Sequence, residues 1–257
     1  MKKTLGLFII IIQCTCYSCN TSGQAPFNMA DFALRSRISM LIESHDITKA
    51  TTILDSLEHL SQNKSNPLIR YYRAKCLYKQ NKCSEAIQIC SDEIMKHSQT
   101  DSLLYWFYGL KINSLRKSGD FKNACSENQK LIKLFPNDAY SYANLSYYLG
   151  ELGDYKGCID ALETSVKLDP KNILAYSNLA YYSSIVGDYN KAINYANQGL
   201  LITKDSITIG SLINNRGFGK IGLKQYDSAL VDIDKSLKYY PKNSYAYYNK
   251  ALIYIQF

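Results

Sequence analysis

The stretch Gly153-Asp154-Tyr155 decides the fold, because tripeptides of the same kind occur at equal intervals on either side of it. These are Gly119-Asp120-Phe121 and Gly187-Asp188-Tyr189, and Pro136 and Pro170 are separated by the same interval. The interval is about 34 residues, and self-similarity at a fixed period of this length is the sequence signature of stacked repeats. The period therefore predicts a chain of similar units, each packed mainly on its neighbours.

Hydrophobic spacing predicts two helices in each unit. Before the turn, Tyr142, Leu145 and Leu149 recur at helical spacing and indicate a first helix, helix A. After the turn, Leu162 and Val166 indicate a second helix, helix B. The glycine can end helix A in the left-handed conformation, and the aspartate that follows can cap helix B.

A small side chain recurs near the start of each predicted helix B, as at Cys158, three residues after Tyr155. Two antiparallel helices approach closely only where side chains are small, so this column predicts the contact between helix A and helix B. Proline lacks an amide proton, so Pro136, Pro170 and Pro241 are expected to end helix B. The members of the small column are Ala50, Ala86, Ala124, Cys158, Ala192 and Ala229.

This pattern resembles the tetratricopeptide repeat, a helix-turn-helix unit with the same period. The resemblance covers about residues 31–257 and implies an all-α fold, a right-handed superhelical solenoid of tetratricopeptide-type helix-turn-helix repeats. Small insertions at 65–66, 101–104 and 207–209 are expected to lengthen loops between repeats. The expected units are 31–64, 67–100, 105–138, 139–172, 173–206, 210–243 and a partial unit at 244–257.

The N-terminal residues resemble an export signal. Residues 1–18 combine Lys2 and Lys3 with a short apolar run, which is typical of a signal peptide and too short for a stable transmembrane helix. Tyr17-Ser18-Cys19-Asn20 resembles the lipobox of Bacteroidetes lipoproteins, which implies a lipidated Cys19 and a linker over 19–30. Cys14 and Cys16 compete as lipidation sites, and a standard cleaved signal is the alternative.

The lipobox resemblance also implies a location. A lipid anchor would place the protein in a membrane of the bacterial cell envelope. Acidic clusters after the cysteine resemble surface-export signals in this lineage, and none follows Cys19. We therefore expect an outer-membrane lipoprotein that faces the periplasm.

Stacked tetratricopeptide repeats resemble one another in exposing helix A along a concave groove, the usual seat of peptide recognition. Amide side chains can hydrogen-bond an extended peptide, and tyrosine offers a large contact area with a polar tip. The asparagines could instead bond only to neighbouring repeats. The expected partner-binding residues are Asn144, Tyr147, Asn178, Tyr181, Asn215, Phe218 and Asn249. Chaperone-binding members of the family hold a C-terminal carboxylate with paired basic residues of helix A, an arrangement called a carboxylate clamp. The matching positions of this chain are not basic, so the resemblance does not imply a clamp.

Basic residues cluster in two units. Arg216, Lys220 and Lys224 follow one another at four-residue spacing and are interpreted either as a face for an acidic partner or lipid head groups, or as a solvated row. Arg70, Arg73, Lys75, Lys79 and Lys82 form the other cluster.

Cysteines in the second unit have two interpretations. Cys76 could pair with Cys83 or Cys90 in an oxidising envelope, whereas their positions match small core residues and favour buried thiols. Cys83 and Cys90 are about 10 Å apart on one helix, beyond disulfide reach.

Signatures of catalysis are absent from the sequence. It has no glycine-rich phosphate loop, nucleophile elbow or paired-histidine metal motif, so we predict no enzyme, no cofactor and no metal site. The net charge is +8, two units of which come from Lys2 and Lys3, and this is too small to indicate nucleic-acid binding.

The last predicted helix is too apolar for a solvent-facing cap. Its Tyr245, Tyr248, Ile253, Ile255 and Phe257 suggest either docking on a partner or a chain that is truncated here.

Two functions fit these features. The first is an envelope-anchored scaffold that binds an extended segment of a protein partner in its concave groove. The alternative is a lipoprotein of a nutrient-capture system that binds a small ligand or a glycan, since aromatic faces stack on sugars. Trp106 is the single tryptophan and no insertion is long enough to build a pocket, which count against this alternative.

Overall fold

A computed structural model describes residues 29–59, 66–97 and 102–256, and this part of the chain is entirely helical apart from its turns. The predicted all-α solenoid is thereby confirmed. The helices are α1 Met29–Glu43, α2 Ile47–Glu58, α3 Pro67–Lys79, α4 Cys83–Ile94, α5 Ser102–Lys117, α6 Phe121–Leu134, α7 Ala139–Glu151, α8 Tyr155–Leu168, α9 Ile173–Ile185, α10 Tyr189–Ile202, α11 Ser206–Gly222, α12 Tyr226–Tyr239 and α13 Ser244–Gln256.

The odd-numbered helices are helix A of successive repeats, and the even-numbered helices are helix B. Each helix packs against the next one along the chain. Helix A also packs against helix A of the following repeat at α1 with α3, α3 with α5, α9 with α11 and α11 with α13. These contacts place α1, α3 and α5 side by side, and likewise α9, α11 and α13, while α7 packs against α6 and α8.

The turn between helix A and helix B has one residue in the left-handed conformation. Gly119, Gly153 and Gly187 have φ values of 81°, 83° and 86°. In the repeats without this glycine, His45, Asn81 and Lys224 take the same conformation with φ of 63°, 64° and 60°. The turn geometry is therefore kept even where a side chain makes it unfavourable.

Aspartate caps helix B where the sequence predicts it. The Asp154 carboxylate accepts a hydrogen bond from the Gly157 amide at 2.9 Å, which satisfies one of the unpaired amides at the start of α8. Asp46, Asp120 and Asp188 cap their helices in the same way. Lys82 and Gln225 occupy the same position without a capping side-chain bond.

The column of small residues is the tightest part of the core. All six of its members are 0% exposed, which agrees with their role in the close approach of the two helices. Larger apolar side chains, such as Leu54, Leu162 and Ile233, surround this column and are also fully buried.

Two of the predicted inter-repeat loops are wrong. Helix α11 begins at Ser206 and includes Ile207–Ile209, because Asp205 caps it through the Thr208 amide at 2.8 Å. Helix α5 begins at Ser102, so 102–104 is helical as well. The inserted residues extend helix A toward its N-terminus.

The basic row of the sixth repeat is neutralised inside the protein, so both interpretations of Arg216 and Lys220 are wrong. The Asp232 carboxylate, only 3% exposed, binds Arg216 at 2.6 and 2.8 Å and Lys220 at 2.6 Å. In the N-terminal cluster, Arg73 pairs with Asp55 and Glu58 at 2.6 and 2.8 Å. The sequence interpretation missed these pairs because their carboxylates lie on the neighbouring helix B.

The other charges of the N-terminal cluster also have partners. Glu43 binds Lys75 at 2.9 Å and Lys79 at 3.7 Å. Arg70 lies 3.4 Å from Glu93. The second unit therefore does not present a basic face to a partner.

The described cysteines are free and buried, which confirms the interpretation as core thiols. Burial raises the pKa of Cys76 to about 11 and the pKa of Cys90 and Cys158 to about 12. These thiols are consequently protonated and unreactive near neutral pH. Cys14, Cys16 and Cys19 lie outside the described residues.

Neither a membrane-spanning helix nor a group of metal ligands is found in the described ranges. None of the helices there combines the length and the hydropathy needed to cross a membrane. In the same ranges, no three histidine, cysteine, aspartate or glutamate side chains are grouped as metal ligands would be.

Candidate functional site

The face lined by the A helices carries a column of partly exposed aromatic rings. Tyr147 on α7, Tyr181 on α9 and Phe218 on α11 are each half-buried, one per repeat. The Tyr147 ring packs edge-on against Phe121 at 5.9 Å, and the Tyr181 ring packs edge-on against Tyr182 at 5.3 Å. These contacts order the Tyr147 and Tyr181 rings, and all three side chains stay partly exposed.

Buried tyrosines support the open ones from behind. Tyr148 and Tyr182 are almost fully buried, and burial raises the pKa of both phenols well above the ordinary value. Gly150 makes room for Tyr182, since a Cβ at this position would collide with the tyrosine ring. The double tyrosines at 147–148 and 181–182 thus divide into one groove ring and one core ring.

A cation lies beside the groove ring of the fourth repeat. Burial raises the pKa of the Tyr147 phenol and the Glu151 carboxylate adds to this effect, while the positive charge of Arg116 opposes it. Arg116 is half-buried at the end of α5. Tyr147 and Arg116 therefore form a polar corner between the third and fourth repeats.

The four asparagines expected to bind a partner occupy the same position of helix A in four repeats, and they divide into two pairs. Asn144 and Asn178 are exposed and available to a ligand. Asn215 donates to the Ser177 carbonyl at 2.9 Å, and Asn249 is 5% exposed and donates to the Asn214 side chain at 3.0 Å. Asn215 and Asn249 therefore bond to neighbouring repeats, which is the alternative stated for these asparagines.

These inter-repeat bonds form a continuous chain of amides. Asn249 donates to Asn214, Asn214 donates to the Asn215 side-chain oxygen at 3.4 Å, and Asn215 donates to Ser177. The chain ties α13 to α11 and α11 to α9. Its amides stabilise the solenoid and are not free to bind a peptide backbone.

Aromatic residues on the N-terminal repeats extend the face. Trp106 on α5 lies 5.5 Å from the Tyr71 ring, and the Arg35 guanidinium lies 5.8 Å from the Trp106 ring centre. The sequence interpretation named Trp106 only as the single tryptophan and did not name Tyr71, Arg35 or Arg116. In the sequence, only the asparagine and the aromatic positions of helix A were compared between repeats. A comparison of every position of helix A in all repeats could have identified these residues.

The last helix presents an apolar outer surface. Ala246 and Ile253 are buried against α11 and α12, while Tyr248, Tyr254 and Ile255 are 63%, 57% and 76% exposed. This agrees with the expectation that α13 is too apolar for a solvent-facing cap.

Two family models, both described as tetratricopeptide repeat, match the chain at residues 139–172 and 161–194. Tetratricopeptide repeats are therefore present in this part of the chain. Such repeats generally act as non-catalytic scaffolds. No curated protein matches the chain in sequence.

Three solved structures illustrate the likeness in fold. YrrB, described as a tetratricopeptide protein with an unusual peptide-binding site, is 16% identical with a TM-score of 0.63 over 76% of this chain and 96% of its own. A tetratricopeptide protein from Parabacteroides merdae is 12% identical, with a TM-score of 0.58 over 88% and 99%. The Cut9–Hcn1 structure is 20% identical, with a TM-score of 0.59 over 87% of this chain, which spans only 42% of that one.

Proposed function

On this tetratricopeptide scaffold, we propose that the protein binds an extended segment of a partner protein along the face formed by α5, α7 and α9. The observation that carries the proposal is the pairing of exposed amides with half-buried rings in adjacent repeats: Asn144 with Tyr147, and Asn178 with Tyr181. Amides can hydrogen-bond a peptide backbone while rings contact its side chains. The unusual peptide-binding site described for YrrB supports the same use of the fold.

The face is suited to an extended segment rather than to a compact ligand. Its rings recur once per repeat along the stack, so contacts accumulate with the length of the bound segment. Because packing against Phe121 and Tyr182 already orders the rings, little conformational entropy is lost on binding.

The binding face is tested with a library of random dodecapeptides displayed on phage and selected on the full chain in detergent. We expect enriched peptides whose binding is lost in the triple variant Asn144→Ala, Asn178→Ala, Tyr181→Ala. The matched control changes exposed residues of helix B in the same repeats: Lys156→Ala, Lys167→Ala, Asn194→Ala. Peptides that bind the triple variant and the wild type equally well would rule out this face.

Envelope anchoring is the second part of the proposal. It rests on the lipobox resemblance at Cys19, which implies a lipid anchor in the outer membrane with the solenoid in the periplasm. A multiply acylated cysteine buries many methylene groups, each contributing about 0.8 kcal/mol, so anchoring would be durable. The variant Cys19→Ser is expected to move the protein from the membrane fraction to the soluble fraction. Continued membrane association would contradict lipidation at this residue.

Glycan binding is the alternative function, and Trp106 with Tyr71 is the feature that favours it, because aromatic faces stack on sugars. A glycan array probed with the wild type and with Trp106→Ala separates the two functions. Glycan hits that depend on Trp106, together with no peptide binding, would replace the scaffold proposal.

A further inference from the structure

Arg116 differs in its partners from three other arginines of the described chain. Arg70, Arg73 and Arg216 each lie within ion-pair distance of a carboxylate on a neighbouring helix. Among the described residues no carboxylate is within that distance of Arg116, whose positive charge acts on the neutral Tyr147 hydroxyl. A half-buried cation that lacks a counter-ion is a favourable place for an anionic group of a ligand.

Gly109 is a glycine that packing does not require. It lies in the middle of α5, where glycine costs about 1 kcal/mol relative to alanine. A Cβ at Gly109 would meet nothing within 4 Å, whereas Cβ atoms at Gly150, Gly210 and Gly217 would press on neighbouring groups. The space above Gly109 is therefore an open notch in the helix surface.

The notch and the cation lie on one stripe of the same helix. Trp106, Gly109, Asn113 and Arg116 follow one another at intervals of three or four residues, which places them on one face of α5. Trp106 lies one helical turn before Gly109, and its ring centre is 5.5 Å from that of Tyr71. One helix thus offers an aromatic wall, an open space and a cation in a row.

The charges near this stripe are predominantly basic. The Arg35 guanidinium lies over the Trp106 ring. Lys117, next to Arg116, donates to the Tyr78 carbonyl at 2.8 Å and lies 4.5 Å from the centre of that ring. Glu151 is the carboxylate that acts on Tyr147 from α7. This balance of charge favours a negatively charged segment over a neutral or basic one.

We propose that the bound segment is acidic: one of its carboxylates pairs with Arg116, and a neighbouring side chain fills the notch at Gly109 beside Trp106. This inference rests on the proposed function, since it names the chemistry of the segment that the helix A face takes. The basic side chain needed for recognition lies at the end of α5, away from the positions of the disfavoured carboxylate clamp.

A charge exchange tests the proposal. The same dodecapeptide library is selected on the wild type, on Arg116→Glu and on Lys133→Glu, an exposed control on α6. The wild type and the control are expected to enrich aspartate or glutamate at one peptide position, and Arg116→Glu is expected to enrich lysine or arginine there. With a synthetic peptide chosen on the wild type, Arg116→Ala should weaken binding at least tenfold, and Arg116→Lys should weaken it less.

A second variant tests the notch. Gly109→Leu should lower the affinity of that peptide about tenfold, while Gln129→Leu, at an exposed position of α6, should leave it unchanged. Circular dichroism and thermal unfolding establish that each variant is folded.

The outcomes separate this inference from the function on which it rests. Peptides that depend on Asn144, Asn178 and Tyr181 but show no acidic preference, or that bind Arg116→Glu unchanged, would overturn the acidic segment and leave the scaffold function standing. Failure to select any peptide that depends on those three residues would overturn the scaffold function itself.

Discussion

At the scale of single residues, each described turn between helix A and helix B has one left-handed residue, and in four of these turns the next residue is a capping aspartate. The turn glycines and the capping aspartates were predicted correctly, because a left-handed residue and an N-cap depend on neighbours in sequence. The partner of Arg216 was missed, because Asp232 lies on the next helix and only the folded chain brings the two together. Asn215 and Asn249 illustrate the same limit, since their sequence position is that of the exposed Asn144 and Asn178.

Lys224 gives a stability prediction, because it holds a left-handed φ of 60° in the turn before α12. Lys224→Gly should stabilise the fold by about 1 kcal/mol and raise the melting temperature by about 2–4 °C. Lys235→Gly, in the interior of α12, serves as the control and should destabilise by about 1 kcal/mol. A lower melting temperature for Lys224→Gly would contradict the assigned turn conformation.

Asp232 gives a prediction that depends on pH. Burial raises the pKa of its carboxyl, but Arg216 and Lys220 outweigh burial and hold the pKa below its ordinary value. The native state is therefore stabilised by this carboxylate above the unfolded-state pKa of about 3.9, and the contribution is lost as pH falls through the native value. Asp232→Asn should destabilise by about 3 kcal/mol at pH 7 and by less at pH 3, because part of the contribution is lost below the unfolded-state pKa.

Urea unfolding of both proteins at the two pH values measures this difference. Asp234→Asn breaks the more exposed pair with Lys250 and should change stability far less than Asp232→Asn does at pH 7. An Asp232→Asn effect of equal size at pH 3 and pH 7 would contradict the ion-pair explanation.

At the scale of helices, periodicity predicted the core and the order of elements but not all helix ends. The small column is fully buried in every repeat, because close helix approach tolerates no larger side chain there. The start of α11 was placed too late, since departure from the repeat period was taken as a loop while Asp205 caps an extra helical turn. Breaks in a repeat period thus locate insertions without giving their conformation.

The amide chain gives a prediction at this scale. Asn214 is 4% exposed and accepts the hydrogen bond of Asn249, so Asn214→Ala leaves a buried amide without that acceptor. We expect a loss of about 1–3 kcal/mol and faster hydrogen exchange in α13. Asn178→Ala, at an exposed position of α9, should change neither quantity appreciably. Unchanged exchange in α13 for Asn214→Ala would show that the chain of amides does not hold this helix.

At the scale of the whole molecule, repetition identified the face that the A helices share but not the differences along it. The rings at Tyr147, Tyr181 and Phe218 were predictable because they recur with the repeat. Arg116 and Gly109 do not recur with the repeat, so the period does not identify them. Only the folded chain shows that Arg116 has no carboxylate partner among the described residues and that a Cβ at Gly109 would contact nothing. The identity of a partner depends on such single residues, while the fold depends on the repeated ones.

The most direct test of the central claim is the affinity of a display-selected dodecapeptide, measured by fluorescence anisotropy. The wild type is compared with the double variant Tyr147→Ala, Tyr181→Ala and with the helix B control Lys156→Ala, Lys167→Ala, Asn194→Ala. We predict at least a tenfold loss of affinity for the tyrosine variant, since each ring contributes a large contact area, and no change for the control. Equal affinity of the tyrosine variant and the wild type would contradict binding on the helix A face.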